Sequence, residues 1–445
     1  MIRQDTEVHV LGIGFGPANI ALAAALSEQP RPAGEAPLTA RFFEKKPDFS
    51  WHPDMLLEGA TMQIAFLKDL VTQRNPVSPL SFVAYLSAQG RLSDFINHQT
   101  LFPTRIEFHD YLEWAAGHFA DQVEYGAEAV SVRPRLADGR IDGFEVQVHH
   151  ASTGLLAVYR ARSVVVAPGL TPYLPEGVVP GERIWHSGSF LSSLDRLPKG
   201  AAPRRFVVIG AGQSAAEVTD HLHRTFPAAE VCSVFSGFGY TPTDDSPFVN
   251  QIFDPATVDL FHAAPVAARQ SVFGRHRATN YSVVDLDLVE ELYRRAYQEK
   301  VAGRERLRFL RGSRVTEAVA LENEVKVTVE SLVEGTRQVL GADAVVYATG
   351  YRPAELAGML GKAAPLLERD ERGELIVERD YRARLALDCD GGLYLQGGTE
   401  HSHGITSSLI SNAAMRAGDI AQSLMARAER DARVSTSTGG QGAQG

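Results

Sequence analysis

At 445 residues the chain is too long for one ordinary hydrophobic core, so two or three domains are expected. Forty-four basic against fifty-four acidic residues leave a net charge of −10 without long like-charge runs, which argues against a nucleic-acid partner. The two cysteines, Cys232 and Cys389, form no CxxC pair, which excludes a disulfide framework, a thiolate metal site and a dithiol redox centre.

In chain order, Glu7–Leu11 reads as a buried strand and Pro17–Leu26 as an Ala/Leu-rich helix packed on it. A Pro/Gly/Ala loop over 30–40 leads into ARFFEKK, a second strand ending in Glu44. These elements form the first mononucleotide-binding half of a Rossmann-like sheet. SVVVAPGL (163–170) is a further strand, followed by a Pro-rich boundary. A second unit begins at Arg205 after the breaker run PKGAAPRR, with strands at EVCSVFS (230–236) and NEVKVTVESLV (323–333). ADAVVYATGYRP (342–353) and GGLYLQGG are buried strands, and SLISNAAMRAGDIAQSLMARA is a long amphipathic helix. The tail ARVSTSTGGQGAQG lacks apolar residues and is expected to be disordered. The expected fold class is α/β, with two Rossmann-like dinucleotide-binding domains and a small, mainly helical substrate region. Residues 1–200 and 342–428 form the first domain, 201–341 the inserted second domain, and 429–445 the tail. Apolar runs are too short to span a bilayer, and the N-terminus runs straight into a strand, so a cytoplasmic protein is expected.

Backbone amides approach a pyrophosphate closely only where no Cβ intervenes, and the following helix N-terminus adds a favourable dipole. Gly12, Gly14 and Gly16 meet that need after a strand, and Glu44 stands where an acid can hold a ribose hydroxyl. The second turn, Gly210-Ala211-Gly212-Gln213-Ser214-Ala215, follows RFVVIG and opens a helix. A tight turn without a ligand is the bland alternative for each, and the flanking strand and helix count against it. Two dinucleotide sites in one chain make sense if one dinucleotide reduces the other. FAD is the retained partner and NAD(P)H the exchanging one, so the first turn is read as FAD and the second as NAD(P)H.

From about Val8 to Arg427 the chain resembles the N-hydroxylating flavin monooxygenases, the ornithine/lysine N-monooxygenases of siderophore biosynthesis. The resemblance rests on GIGFGPANI (12–20), FFEKKPDFSWHPDM (42–55), MQIAFLKDLVTQRNPVSPLSFVAYL (62–86), LFPTRIEFHDYLEWA (101–115), GAGQSAAEV (210–218), DDSPFVNQIFDP (244–255), ATNYSVVD (278–285), ATGYRP (348–353) and HGITSSLISNAAMR (403–416). It implies that Glu44 through His52 and Gln63 lie along FAD, with Trp51 and His52 near the ring system and Val130 offering backbone contacts to the adenine side. It implies that Gly212, Gln213, Ser214 and Ala215 hold the NADP pyrophosphate, with Asn280, Tyr281 and Ser282 near the nicotinamide. Ser408, Leu409 and Ile410 match the stretch that touches the flavin, and Ser411 a neighbouring substrate contact. Lys68 matches the lysine that pairs with the substrate α-carboxylate, and Asn250 and Asn280 the asparagines at the amino-acid end. Against these stand plainer roles: a solvated lysine at 68, a capping residue at 250, a helix-start serine at 411 and a structural histidine at 52.

The sequence departs from the family pattern in four places. Ser236 stands where an arginine for the NADPH 2′-phosphate is common, with Arg275, His276 or Arg277 as replacements, which leaves NADH possible. VPGERIWHSGSF (179–190) carries one extra residue between Gly181 and His186, Gln251 replaces a glutamate, and Thr406-Ser407 replace an aspartate-containing turn. The activity implied is L-ornithine N5-monooxygenation with O2 through a C4a-hydroperoxyflavin, in a homodimer or homotetramer. L-lysine, putrescine or cadaverine are alternative substrates. Other classes are a disulfide reductase, opposed by the missing cysteine pair, and a non-catalytic NADP-sensing flavoprotein.

Overall fold

Two sheets, one interrupting the other in sequence, carry the architecture of this computed structural model, which describes residues 2–30, 37–197, 202–276 and 279–439. The first sheet runs in the order Val123–Tyr125, Ala40–Glu44, Ile2–Ile13, Leu155–Val166, Arg140–His150, Ala127–Ala137. Strand Leu155–Val166 is shared: its first half pairs antiparallel with Arg140–His150, and its last four residues pair parallel with Gly392–Leu395. The C-terminal segment thus returns to complete the sheet that the N-terminus began. Pro17–Ser27 follows the first strand with Pro at its first position and residues 19–25 all buried. Its alanines let it lie tightly against the long helix Ala413–Gly439, as expected of a helix apolar on every side.

The second sheet is parallel, in the order Leu307–Leu310, Glu230–Val234, Arg205–Ile209, Ala344–Tyr347, Ile184–His186. It is wider than the 201–341 read from the sequence, because strands on both flanks of that range pair into it. Boundary prolines and glycines mark loops but carry no information on which sheet a short strand joins. A three-stranded antiparallel sheet, Ser313–Ala320, Val325–Ser331 and Arg337–Ala342, packs on this unit. Helices Pro255–Ala263 and Val266–Arg275 form the small helical region. The last helix reaches Gly439 and so takes in the first eleven residues of the expected tail, 429–439; residues 440–445 lie outside the described residues. No helix among the described residues is long and apolar enough to cross a membrane.

Candidate active site

At the first turn, Gly14 sits at φ +83°, and a Cβ there would lie 2.3 Å from the Ala167 carbonyl oxygen. A Cβ on Gly12 would meet the Phe42 ring at 2.2 Å. Gly16 caps the helix without a side-chain hydrogen bond, so the first-turn amides remain available to an anion. Glu44 is held from both sides: Phe15 N–H donates to Oε2 at 2.8 Å and Lys46 N–H to Oε1 at 3.0 Å. Its second lone pairs are free for a ribose hydroxyl. Asn19 braces the turn by donating to the Gly14 carbonyl at 2.7 Å. Val130 sits at a register shift of the ladder between Ala129 and Ser131, where two residues of one strand oppose one of the other.

The second turn repeats the device with a shifted emphasis. Gly210, at φ +138°, is the constrained residue, because a Cβ would lie 2.3 Å from the Ala348 carbonyl oxygen. Gly212 has ordinary φ and open space, its nearest neighbour being Ser282 Cα at 3.6 Å. Gly212 also caps its helix without a side-chain bond. Ala215 is fully buried with its N–H committed to Gly212, so it packs the helix on the strand and turns no donor outward. The Gln213 side chain is committed as well: it donates to Glu217 and Asp285, each at 3.0 Å, and accepts from Asp285 N–H at 2.9 Å.

A buried seam joins the two units. Arg105, from helix Arg105–Gly117, forms a bidentate pair with Glu217 at 2.8 and 2.7 Å and also donates to the Met55 carbonyl. Gln63 hydrogen-bonds Asp285, so Asp285 is held by one glutamine from each side. Burial, reinforced by Glu217, raises the Asp285 pKa above the usual carboxylate range. His52, in the left-handed region at φ +47°, makes edge-on ring contacts with Trp51 and with Tyr351. Desolvation inside this crowded cleft, with Arg105 and Lys46 adding repulsion, lowers its pKa to about 4, so it is neutral at physiological pH.

Lys68 is half-buried and lies in the same segment as Gln63. The next residue, Asp69, pins that segment: it accepts from Val71, Thr72 and Phe82 N–H at 2.9, 2.6 and 2.7 Å. Lys68 Nζ sits 5.7 Å from the Phe253 ring centroid, and no carboxylate pairs with it among the described residues. At the C-terminal return, Ser408, Leu409 and Ile410 are partly exposed between buried neighbours. Ser407 Oγ, Ser411 Oγ and Asn412 Oδ1 are buried without a hydrogen-bond partner. Orphaned polar atoms are costly unless a ligand completes them. The crowded glycines, the uncapped helix starts and these orphans together fit a bound FAD.

The model of the L-lysine 6-monooxygenase/L-ornithine 5-monooxygenase family matches residues 6–353. The chain belongs to this family. It is 40% identical to an L-ornithine N(5)-monooxygenase of Burkholderia cepacia over 91% of each chain. It is 38% identical to the L-ornithine N(5)-monooxygenase of Pseudomonas aeruginosa over 93% of each. Among solved structures, it matches the ornithine N-hydroxylase of Kutzneria sp. 744, titled with reduced FAD, NADP+ and L-ornithine. That match has a TM-score of 0.90 and 43% identity, covering 95% of this chain and all of that one.

Other expected family residues are placed less simply. Asn250 spends a side-chain donor on the Asp245 carbonyl at 2.5 Å, a bond within the preceding loop and not a cap on the helix that follows. Tyr281 donates to Glu400, tying the 280–282 loop to the C-terminal return. Ser282 is left-handed at φ +59° beside Gly212. Ser236 is exposed, and Arg277 lies outside the described residues. Sequence reasoning missed Arg311. Gly312 N–H donates to the Gly237 carbonyl and Ser313 N–H to the Phe235 carbonyl, so the turn that carries the exposed Arg311 runs along the segment that carries Ser236.

Proposed function

We propose that the chain is an L-ornithine N5-monooxygenase using FAD, NADPH and O2. Lys68 carries the reading: an ammonium without an acidic partner, on the segment that also supplies Gln63 to the seam between two dinucleotide turns. Names borne by relatives at 38–43% identity over more than nine-tenths of the chain support ornithine over lysine or a diamine.

In this reading FAD, reduced by NADPH, would supply the activation of O2, one atom of which passes to the amine while the other leaves as water. The first turn holds the FAD pyrophosphate on the first-turn amides of helix Pro17–Ser27, and Glu44 holds the ribose. The second turn offers the Gly212 cap and the amides of Gln213 and Ser214 to NADPH, with Asn280, Tyr281 and Ser282 at the nicotinamide end. Arg311 takes the place of the arginine missing at 236 and faces the 2′-phosphate. Lys68 binds the substrate carboxylate, which fixes how far the side-chain amine reaches, and Asn250, Asn280 and Ser411 line the amino-acid end. The amine must be neutral to react, and its ordinary pKa is about 10.4. Desolvation and the nearby positive charge of Lys68 both disfavour the ammonium. His52, already neutral and protonated only near pH 4, is too weak a base to serve.

Hydroxylamine formation from ornithine, lysine, putrescine and cadaverine tests the reading. Ornithine turns over best, and Lys68→Ala weakens it by about 2–5 kcal/mol, the usual cost of leaving a buried charge unpaired. Flavin reduction by NADPH stays as it was, and putrescine loses little. A chain that binds both cofactors yet hydroxylates no amine is a sensor, and equal losses for both amines remove the carboxylate role of Lys68.

A further inference from the structure

Among the described residues, Arg416 is the most deeply buried cation that no acid accounts for. It is 3% exposed and has no carboxylate partner among the described residues. It stands in the first turn of helix Ala413–Gly439, where the helix dipole already presents its positive end. Its Nη1 donates to the Ser407 carbonyl at 2.7 Å and the Thr406 carbonyl at 3.4 Å, and its Nε to Gln396 Oε1 at 3.4 Å. Gln396 in turn donates to Asn19 Oδ1 at 2.8 Å, and Asn19 to the Gly14 carbonyl. One buried polar chain thus runs from the first glycine turn to the return segment.

Neutral carbonyls satisfy the donors of a guanidinium but leave its charge uncompensated, and burying such a charge is costly. Burial also lowers its pKa, yet arginine stays protonated at any working pH. The fold therefore maintains positive potential at a place where the protein supplies no anion. Beside it, Ser407 Oγ, which can donate and accept, and Asn412 Oδ1, which accepts, have no hydrogen-bond partner among the described residues. The pyrimidine edge of a flavin both donates and accepts. Hydride transfer from NADPH brings it two electrons and one proton, so this edge gains one negative charge as the nicotinamide becomes NADP+.

We propose that Arg416 is an electrostatic tuning residue for the flavin, favouring its reduced, negatively charged form over the oxidised one. The inference rests on the FAD site proposed above and adds to it that the return segment meets the pyrimidine edge of the flavin. A charge acting on the whole ligand changes FAD affinity equally in both redox states and leaves the potential alone. A charge facing the edge that becomes negative shifts the potential.

The test is the flavin midpoint potential of the purified holoprotein, with oxidised-FAD affinity measured in parallel. Arg416→Met lowers the preference for reduced over oxidised flavin about tenfold, read as a potential lower by about 30 mV for a two-electron couple. Arg416→Lys keeps the charge and stays near the parent value. Gln396→Glu sets a carboxylate against the guanidinium without removing it. It lowers the potential in the same sense, and it decides the matter if Arg416→Met does not retain flavin. A potential unmoved in a flavin-bearing Met or Glu variant overturns the proposal, as does a Lys variant that falls as far as Met. A parent chain that binds no FAD at all removes the site reading itself, and this inference with it.

Discussion

The two glycine turns are built alike and finished differently. Around the first, Gly14 lies against the Ala167 carbonyl, Glu44 is clamped by two amides, and a buried chain from Asn19 to Gln396 and Arg416 closes the return segment over it. Around the second, Gly212 is roomy, Ser236 is bare, and the side chains at the helix start face a seam between units. Strands from both ends of the chain join in the sheet of the first turn, whereas the second turn borders the seam. In the proposed reading this difference suits a dinucleotide that stays and one that comes and goes.

The largest effect expected is at Gly14. Gly14→Ala forces a left-handed alanine into a carbonyl, and the chain is recovered without FAD. Gly210→Ala meets the same obstacle at the second turn, so FAD is retained while reduction by NADPH falls by about two orders of magnitude, the scale of a 1–3 kcal/mol backbone strain. Gly212→Ala, with 3.6 Å of clearance, slows reduction by less than tenfold. Flavin content and anaerobic reduction rates check all three, and equal loss of flavin in the two constrained variants would erase the distinction between sites.

The seam comes next. Glu217→Gln leaves Arg105 buried without its carboxylate, and breaking such a pair costs about 3–5 kcal/mol. FAD content is preserved and hydride transfer slows, because the pair fixes one unit against the other. Reduction at the parent rate would show that the seam is incidental. The smallest effect is at Arg311: Arg311→Ala lowers the preference for NADPH over NADH by about tenfold, or 1.4 kcal/mol. An unchanged ratio would leave the 2′-phosphate without a partner at this position.

Much of this was legible in the sequence, for stated reasons. The strand, glycine turn and helix of each unit are local, so Gly12 to Ser27 and Arg205 to Thr225 read directly from periodicity. What failed is non-local. The hydrogen bonds of Gln213 to Asp285 span 72 residues, and the Arg105–Glu217 pair spans 112. Nothing in either motif names its partner. Gly210 and Gly212 look alike as letters, and only the Ala348 carbonyl tells which one is constrained. Arg311 carries no sequence signal of its own, because only the pairing of Glu230–Val234 with Leu307–Leu310 brings the turn after the latter strand alongside the segment of Ser236. The final helix continues through Glu429, Arg430, Ala432 and Arg433, good helix formers that need no burial, and propensity gives no reason for its last turns over 434–439.

The most direct test is an anaerobic titration of the purified chain with NADPH, followed at the flavin absorbance and then by gel filtration. One FAD per chain is expected, fully reduced by one equivalent of NADPH, with the flavin eluting on the protein after the nicotinamide has been washed away. Flavin that leaves along with the nicotinamide, or that NADPH does not reduce, would contradict it.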